Sequence, residues 1–161
     1  MINTLVDSII DIFKEQYQLY RIMADYAGEQ QELLKKPFQE RDYSQVMNVI
    51  IRRQGLLKDL NLLDNKNKNL QKRLTEELGI NEFNLCQLKA KIANEQYTII
   101  AEIVNQIGTI LNSITNTDYQ SQLLMQDRLD KANKTKTIIS RKQANSIYQE
   151  VFRIFQEEHN Q

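Results

Sequence analysis

The sequence predicts an all-α fold, in which a long antiparallel helical hairpin and a third long helix form a three- to four-helix bundle with coiled-coil-like packing. Apolar residues recur at every third or fourth position over most of the 161 residues. Gly and Pro number only 4 and 1, whereas turn-rich β folds need them repeatedly. Helix-capping patterns separate the periodic segments. We therefore expect one helical domain spanning residues 1–161.

The first predicted helix covers about residues 2–36, a rod of roughly 50 Å at about 1.5 Å per residue. Its apolar stripe is interrupted once, at Gln30 and Gln31. Pro37 follows two lysines and pushes the preceding residue out of the α region, which ends the helix. A helix of this length needs partners of similar length. Its stripe consists of Ile2, Val6, Ile9, Phe13, Tyr17, Tyr20, Met23, Ala27 and Leu34.

The second predicted helix covers about residues 43–78. Asp42 and Gln45 fit a capping box at its start, and Gly79 fits the left-handed residue that commonly follows a helix, with Ile80 placed for the accompanying apolar contact. Because the connection from the first helix is only about five residues long, the two helices are expected to be antiparallel.

Two polar residues, Arg53 and Asn67, occupy stripe positions of the second helix among leucines and valines. Asn67 has two interpretations: it fixes the register of the bundle, as a buried Asn does in coiled coils, or it lies at the wet edge of the bundle. The sequence does not separate them.

The third predicted helix covers about residues 85–133, with Asn84 and Gln87 as a capping box. The stretch 112–118 is richer in Asn and Thr than a helix prefers, so a break near Asn116 is the alternative to a continuous helix. Continuity is the favoured interpretation because the apolar pattern resumes at Leu123, Leu124 and Leu129.

The last predicted helix covers about residues 141–158 and follows a polar connector, 134–140. Ser140 and Gln143 fit a capping box. Its apolar face either closes the bundle or captures a helix of a partner protein. That face carries Ile147, Tyr148, Val151, Ile154 and Phe155.

Composition excludes several functional classes. Lys and Arg number 21, as do Asp and Glu, so there is no global charge for binding nucleic acid. No apolar run is long enough to insert into a membrane. A single cysteine cannot form an internal disulfide, which fits a reducing, cytoplasmic setting.

Candidate catalytic and metal-binding groups are equally scarce. His159 is the only histidine, so one chain cannot assemble a histidine-based triad or a multi-histidine metal site. The four glycines are isolated from one another, which excludes a phosphate-cradling loop. We therefore expect no enzymatic activity, no cofactor and no metal.

The order of these features resembles the FlgN family of flagellar export chaperones, over residues 5–133. The first helix ends in Gln-Gln-Glu-Leu-Leu at 30–34. The second contains Arg-Gln-Gly-Leu-Leu-Lys-Asp-Leu at 53–60 and ends in Leu-Gly-Ile at 78–80. The third contains Asn-Thr-Asp-Tyr-Gln-Ser-Gln-Leu-Leu at 116–124, similar to the family's Asn-x-x-Asn-x-x-Leu-Leu stretch with Gln120 or Asp118 in place of the second Asn.

The resemblance implies a cytoplasmic chaperone without enzymatic activity that binds the amphipathic C-terminal helices of hook–filament junction proteins. Such clients are hook-associated proteins similar to FlgK and FlgL, which the chaperone keeps unassembled before type III export. The family's Tyr-Gly element, used at the export gate, does not follow Asn133, so a gate contact by Tyr148 is left open. Formation of a homodimer is a further open possibility. The client contacts it implies are Leu123, Leu124, Leu129, Ile147, Tyr148, Val151 and Phe155.

A second interpretation comes from a different functional class. The same Leu and Ile stripes fit a structural coiled-coil protein that associates with itself, has no dedicated client and is paired through flanking charges. A dimer that ignores added amphipathic helices would support this alternative.

Overall fold

The computed structural model describes residues 1–37, 40–135, 149, 152 and 153 of the protein. The regular structure there is helical, and no strand occurs within these ranges. The predicted all-α fold is therefore confirmed. The helices are α1 (Ile2–Lys35), α2 (Glu40–Leu78), α3 (Leu85–Leu88) and α4 (Asn94–Thr135).

The ends of the α1–α2 hairpin follow the expected chemistry with one shift. Helix α1 ends at Lys35, whose charge suits the negative helix end, and Pro37 follows. Helix α2 begins at Glu40, so Asp42 lies inside the helix and is not its N-cap. At the other end, Gly79 has a φ of 68°. The Ile80 and Gly79 N–H groups donate to the carbonyls of Thr75 (3.1 Å) and Glu76 (3.3 Å), which is the Schellman pattern.

The third predicted helix is divided in the structure. Asn84 caps α3, accepting a 2.8 Å hydrogen bond from the Gln87 N–H, but α3 ends at Leu88 and α4 begins at Asn94. The N–H groups of Lys91 and Ile92 donate to the Leu88 carbonyl at 2.9 and 3.2 Å and form a turn. The prediction of one helix over 85–133 was wrong at this point, because the turn allows Leu88 to be fully buried among side chains of three other helical segments.

Helix α4 runs without a break through its Asn- and Thr-rich stretch. The hydroxyl groups of Thr109 and Thr117 donate back to the carbonyls four residues earlier, Asn105 and Ser113, at 3.1 and 2.9 Å. These bonds satisfy the threonine side chains inside the helix, so the stretch does not need a turn to accommodate them.

Contacts divide the chain into two compact units, of which unit 1 comprises Met1–Ile22 and Leu56–Leu111. In this unit the start of α1 packs against the end of α2, α3 and the start of α4. Asn67 is also buried here, 2% exposed, which decides between its two interpretations in favour of burial. The buried apolar cluster consists of Leu5, Val6, Ile9, Ile10, Leu74, Leu88 and Ile100.

Unit 2 comprises Met23–Gly55 and Asn112–Gln161. It contains the end of α1, the start of α2 and the second half of α4. Its interior differs from that of unit 1 because charged side chains, Arg53 and Asp118, are buried among the apolar ones. The buried apolar side chains are Met23, Ala27, Leu33, Leu34, Val46, Val49, Ile50, Ile114 and Met125, and the buried polar ones are Gln30, Arg53, Asp118 and Ser121.

The predicted last helix, 141–158, and most of the predicted connector, 134–140, lie outside the described residues. In that part of the chain only Gln149, Phe152 and Arg153 are described, and all three are helical. Phe152 is half-buried, and the other two are exposed.

Candidate binding surface

The second half of α4 has an inner and an outer face. Four side chains spaced four, three and four residues apart are buried: Ile114, Asp118, Ser121 and Met125. This is the spacing of one helical stripe. On the opposite side, Tyr119 is 57% exposed and Leu123 is 52% exposed. Because these two residues are four apart, they are neighbours on the helix surface, and we call them the Tyr119–Leu123 face.

The surroundings of this face carry almost no charge. Residues 112–126 include one charged residue, Asp118, and it is buried. A chain with 26% charged residues would be expected to carry about four in a segment of this length. The exposed neighbours of the face within this segment are neutral amides and hydroxyls, and just beyond it Asp127, four residues after Leu123, is exposed and paired with Lys131 at 3.1 Å. The neutral neighbours are Thr115, Asn116, Gln120, Gln122 and Gln126.

Helices α1 and α2 expose different kinds of side chain in unit 2. Helix α2 exposes Ile51, at 56%, and the neutral polar residues Ser44, Gln45 and Asn48, but Arg52 beside Ile51 is also exposed. Burial raises the pKa of the Tyr43 hydroxyl, so this group is uncharged at neutral pH. Helix α1 exposes charged residues instead: Asp25, Glu29, Glu32 and Lys35. Among the described residues of unit 2, residues 112–126 of α4 therefore provide an apolar surface without exposed charge.

Behind the Tyr119–Leu123 face lies a buried polar layer of three residues, one from each of α1, α2 and α4. The guanidinium of Arg53, fully buried, donates from Nη1 to Asp118 Oδ1 at 2.8 Å and from Nη2 to Asp118 Oδ2 at 2.6 Å. Nη1 also donates to Gln30 Oε1 at 2.6 Å, and Nε lies 3.4 Å from Met23 Sδ. We call Gln30, Arg53 and Asp118 the polar layer. The two-point contact is the strong, directional form of an arginine–carboxylate pair.

Two further bonds join α1 to α4 near the rim of unit 2. Gln31 Nε2 donates to Gln120 Oε1 at 2.6 Å. Arg128 Nη2 donates to the Leu33 carbonyl at 3.2 Å, one of the last carbonyls of α1, which have no partner within the helix. The second half of α4 is thus linked to α1 at three levels along the helix, by these two hydrogen bonds and, through Arg53, by the polar layer.

No group of three or more His, Cys, Asp or Glu side chains in the described ranges is arranged to hold a metal ion. Within the same ranges, no helix is long and apolar enough to cross a membrane.

A family model described as "FlgN protein" matches residues 1–153. The chain belongs to the FlgN family. This family comprises flagellar export chaperones, which bind hook-associated proteins. No curated protein and no solved structure matched the chain.

With family membership established, the predicted client contacts of this FlgN-family chain can be placed. Leu123 is exposed, whereas Leu124 and Leu129 are half-buried. At about 100° per residue, Leu124 and Leu129 are each at least about 100° around the helix from Leu123. One partner helix lying on the Tyr119–Leu123 face would therefore reach Leu123 first, and the other two flank the buried stripe. The remaining predicted contacts, Ile147, Tyr148, Val151 and Phe155, lie outside the described residues.

The sequence pattern does not single out Tyr119 as a contact and does not predict the polar layer. A pattern was nevertheless present in each helix: the interruption of the first stripe at Gln30, a charged residue at stripe position 53, and a carboxylate within a neutral segment at 118. In the sequence these three positions are unrelated to one another. That these three polar positions meet in one layer depends on how the helices pack, which periodicity does not specify.

Proposed function

We propose that this FlgN-family protein is a cytoplasmic chaperone for hook-associated proteins similar to FlgK and FlgL. In this proposal it binds the amphipathic C-terminal helix of each client on the Tyr119–Leu123 face and keeps the client unassembled before export. The observation that carries the proposal is the pair of large, exposed apolar side chains on one helix surface without any exposed charge over residues 112–126.

The chemistry of the face suits an amphipathic helix. Exposed apolar residues four positions apart accept the i, i+4 anchors of a partner helix. Tyr supplies a large contact area with few rotatable bonds, together with a hydroxyl that remains able to hydrogen-bond. Charged residues are depleted at the centres of protein interfaces because their desolvation is costly. The amide rim can instead exchange hydrogen bonds with the polar edge of the client helix.

Chaperone action of this kind requires binding and no covalent chemistry. An apolar client face that is covered by the chaperone is not available to polymerise, and release at the export apparatus restores it. Leu124, Leu129, Ile147, Tyr148, Val151 and Phe155 extend the proposed contact region, with the last four contributed by the C-terminal segment. A contact of this segment with the export gate and a homodimeric state belong to the same proposal.

The test is calorimetric titration of the full chain with a synthetic C-terminal helix of a hook-associated protein from the same organism. We expect one peptide per chain and a Kd of about 1 µM or below, which corresponds to about −8 kcal/mol. Leu123→Asp should weaken binding at least tenfold, because the change buries a carboxylate at the contact. Circular dichroism should show unchanged helical content.

The matched control is Leu62→Asp. Leu62 is also an exposed leucine, at 66%, but it lies in unit 1. This variant should bind the peptide like the unmodified chain. Equal losses in both variants, or no loss in either, would contradict the proposed surface. A stable dimer that does not bind the peptide at all would favour the self-associating structural protein instead.

A further inference from the structure

In unit 2 the inner stripe of α4 is interrupted by polar residues, and the outer face also carries apolar ones. The inner positions carry two apolar residues, Ile114 and Met125, together with Asp118 and Ser121. The outer face also carries two, Tyr119 and Leu123. Hydrophobic stabilisation follows the apolar area removed from water. Leu124 and Leu129, half-buried beside the inner stripe, favour burial of the inner side, so the remaining choice is the rotation and level at which that side packs.

The polar layer makes this choice. Arg53 occupies a position of the buried stripe of α2 at which an aliphatic residue would be expected. The neighbouring stripe residues, Ile50 and Leu57, are 2% and 4% exposed. Its guanidinium is a planar fork that matches a carboxylate at one position and in one orientation. Asp118 satisfies this geometry with both oxygens, at 2.8 and 2.6 Å. Gln30 fixes the same fork from α1 at 2.6 Å.

Any other arrangement of α4 separates these groups. Rotation by one residue, about 100°, moves the Asp118 carboxylate out of the interior. A slide along the axis moves it to another level. In both cases the fully buried guanidinium loses both hydrogen bonds to the Asp118 carboxylate, and breaking a buried ion pair is among the most costly changes in a protein interior.

We propose that the polar layer locks the rotational and axial register of α4 and thereby presents the Tyr119–Leu123 face to the client. Gln30, Arg53 and Asp118 are positioning residues, since their side chains are buried and do not touch the client. The part of the proposal that concerns client binding rests on the function proposed above, and the part that concerns register does not. Buried polar groups specify register in the same way in coiled coils.

The test removes the polar groups of the layer in one chain, with Gln30→Leu, Arg53→Met and Asp118→Ala. Alanine at 118 adds little apolar area to the inner stripe, so it does not itself favour burial of that stripe. Replacing a buried ion pair by apolar residues commonly preserves or raises stability, so the triple variant should fold. A cysteine at position 121, introduced as Ser121→Cys, reports the register because Ser121 is fully buried. Cys86, which is free and exposed, is changed to Ser throughout.

The lock predicts that Cys at 121 is protected from a small thiol reagent in the parent chain and reacts at least tenfold faster in the triple variant. A second reporter, Val6→Cys, is buried in the apolar cluster of unit 1 and should stay protected in both. This control separates a change of register in α4 from general unfolding. Helical content by circular dichroism should be unchanged.

The peptide titration is then repeated on the triple variant with Ser at position 121. We expect at least tenfold weaker binding although none of the three replaced side chains lies on the Tyr119–Leu123 face. Continued protection of Cys at 121 would overturn the lock. Exposure of Cys at 121 with unchanged peptide affinity would overturn its role in presenting the face. If the unmodified chain binds no peptide, the proposed function fails, and the labelling rates alone decide whether the lock exists.

Discussion

The guanidinium of Arg53 and the carboxylate of Asp118 form two parallel hydrogen bonds, of 2.8 and 2.6 Å, although the residues are 65 positions apart in the chain. Both side chains are shielded from solvent, with 0% and 7% exposed. Their charges cancel, so the interior of unit 2 holds an ion pair and no net charge from these two residues. Asp118 directly precedes Tyr119, and the pair therefore fixes both the buried stripe and the exposed face of the same helix.

Removal of one partner from this pair should be strongly destabilising. We expect Asp118→Asn to lower the free energy of unfolding by about 3–5 kcal/mol, because the buried Arg53 guanidinium would lose the carboxylate that pairs with it. Urea unfolding measures the change. Asp127→Asn is the matched control, since Asp127 pairs with Lys131 at the surface and such pairs contribute little. Similar losses in both variants would contradict the assigned role of burial.

Client binding should depend little on salt. Because residues 112–126 expose no charged side chain and the exposed Asp127 beside them is paired with Lys131, we expect the peptide Kd to change less than about threefold between about 50 and about 500 mM salt. The heat-capacity change of binding should be large and negative, since apolar area is buried. Calorimetry at several temperatures and salt concentrations measures both. A steep salt dependence would mean that the client binds a charged surface, such as that of α1.

Two glycines should respond to alanine in opposite directions. Gly55 lies inside α2 with open space where a Cβ would be, so Gly55→Ala should stabilise the protein by about 0.5–1 kcal/mol. Gly79→Ala should destabilise it by about 1 kcal/mol, because the φ of 68° is unfavourable for residues with a Cβ. Thermal or urea unfolding of both variants tests this. Stabilisation by both changes would mean that Gly79 does not hold the left-handed conformation.

Alanine substitution at two leucines of α2 should change the stability of the protein by very different amounts. Leu74 is fully buried in the apolar cluster of unit 1, so Leu74→Ala should cost about 2–5 kcal/mol through lost burial and a residual cavity. Leu62 is 66% exposed, and Leu62→Ala should change stability by less than about 0.5 kcal/mol. Urea unfolding provides the comparison. A large cost at Leu62 would indicate that this side chain is covered, for example by a second copy of the chain.

Much of the local structure was predictable because its causes lie within a few residues. The end of α1 before Pro37, the left-handed cap at Gly79 and the cap at Asn84 all depend on short-range backbone chemistry. The break after Leu88 was not predictable on this basis. Leu85, Leu88 and Ile92 lie on one face of a continuous helix and are equally compatible with the observed turn. The turn depends on contacts with residues distant in sequence.

The predicted client contacts were likewise only partly predictable from the sequence. Leu123 and Leu124 extend the apolar pattern of α4 in the sequence, yet Leu123 is exposed and Ser121 is buried. Periodicity assigned the leucines to one stripe because it weighs only apolar character. The structure instead buries the face that carries Asp118, because a buried arginine on α2 requires a carboxylate.

The sequence by itself determined an all-α chain, the three long helices of the hairpin and its neighbour, several of their ends, and membership of a family of export chaperones. These properties follow from apolar periodicity, capping residues and motif order, which are local in the chain. Only the tertiary structure decided which face of α4 is buried and which is presented to solvent. That choice depends on an ion pair between residues far apart in sequence, and a charge pair forms only where packing brings its two members together.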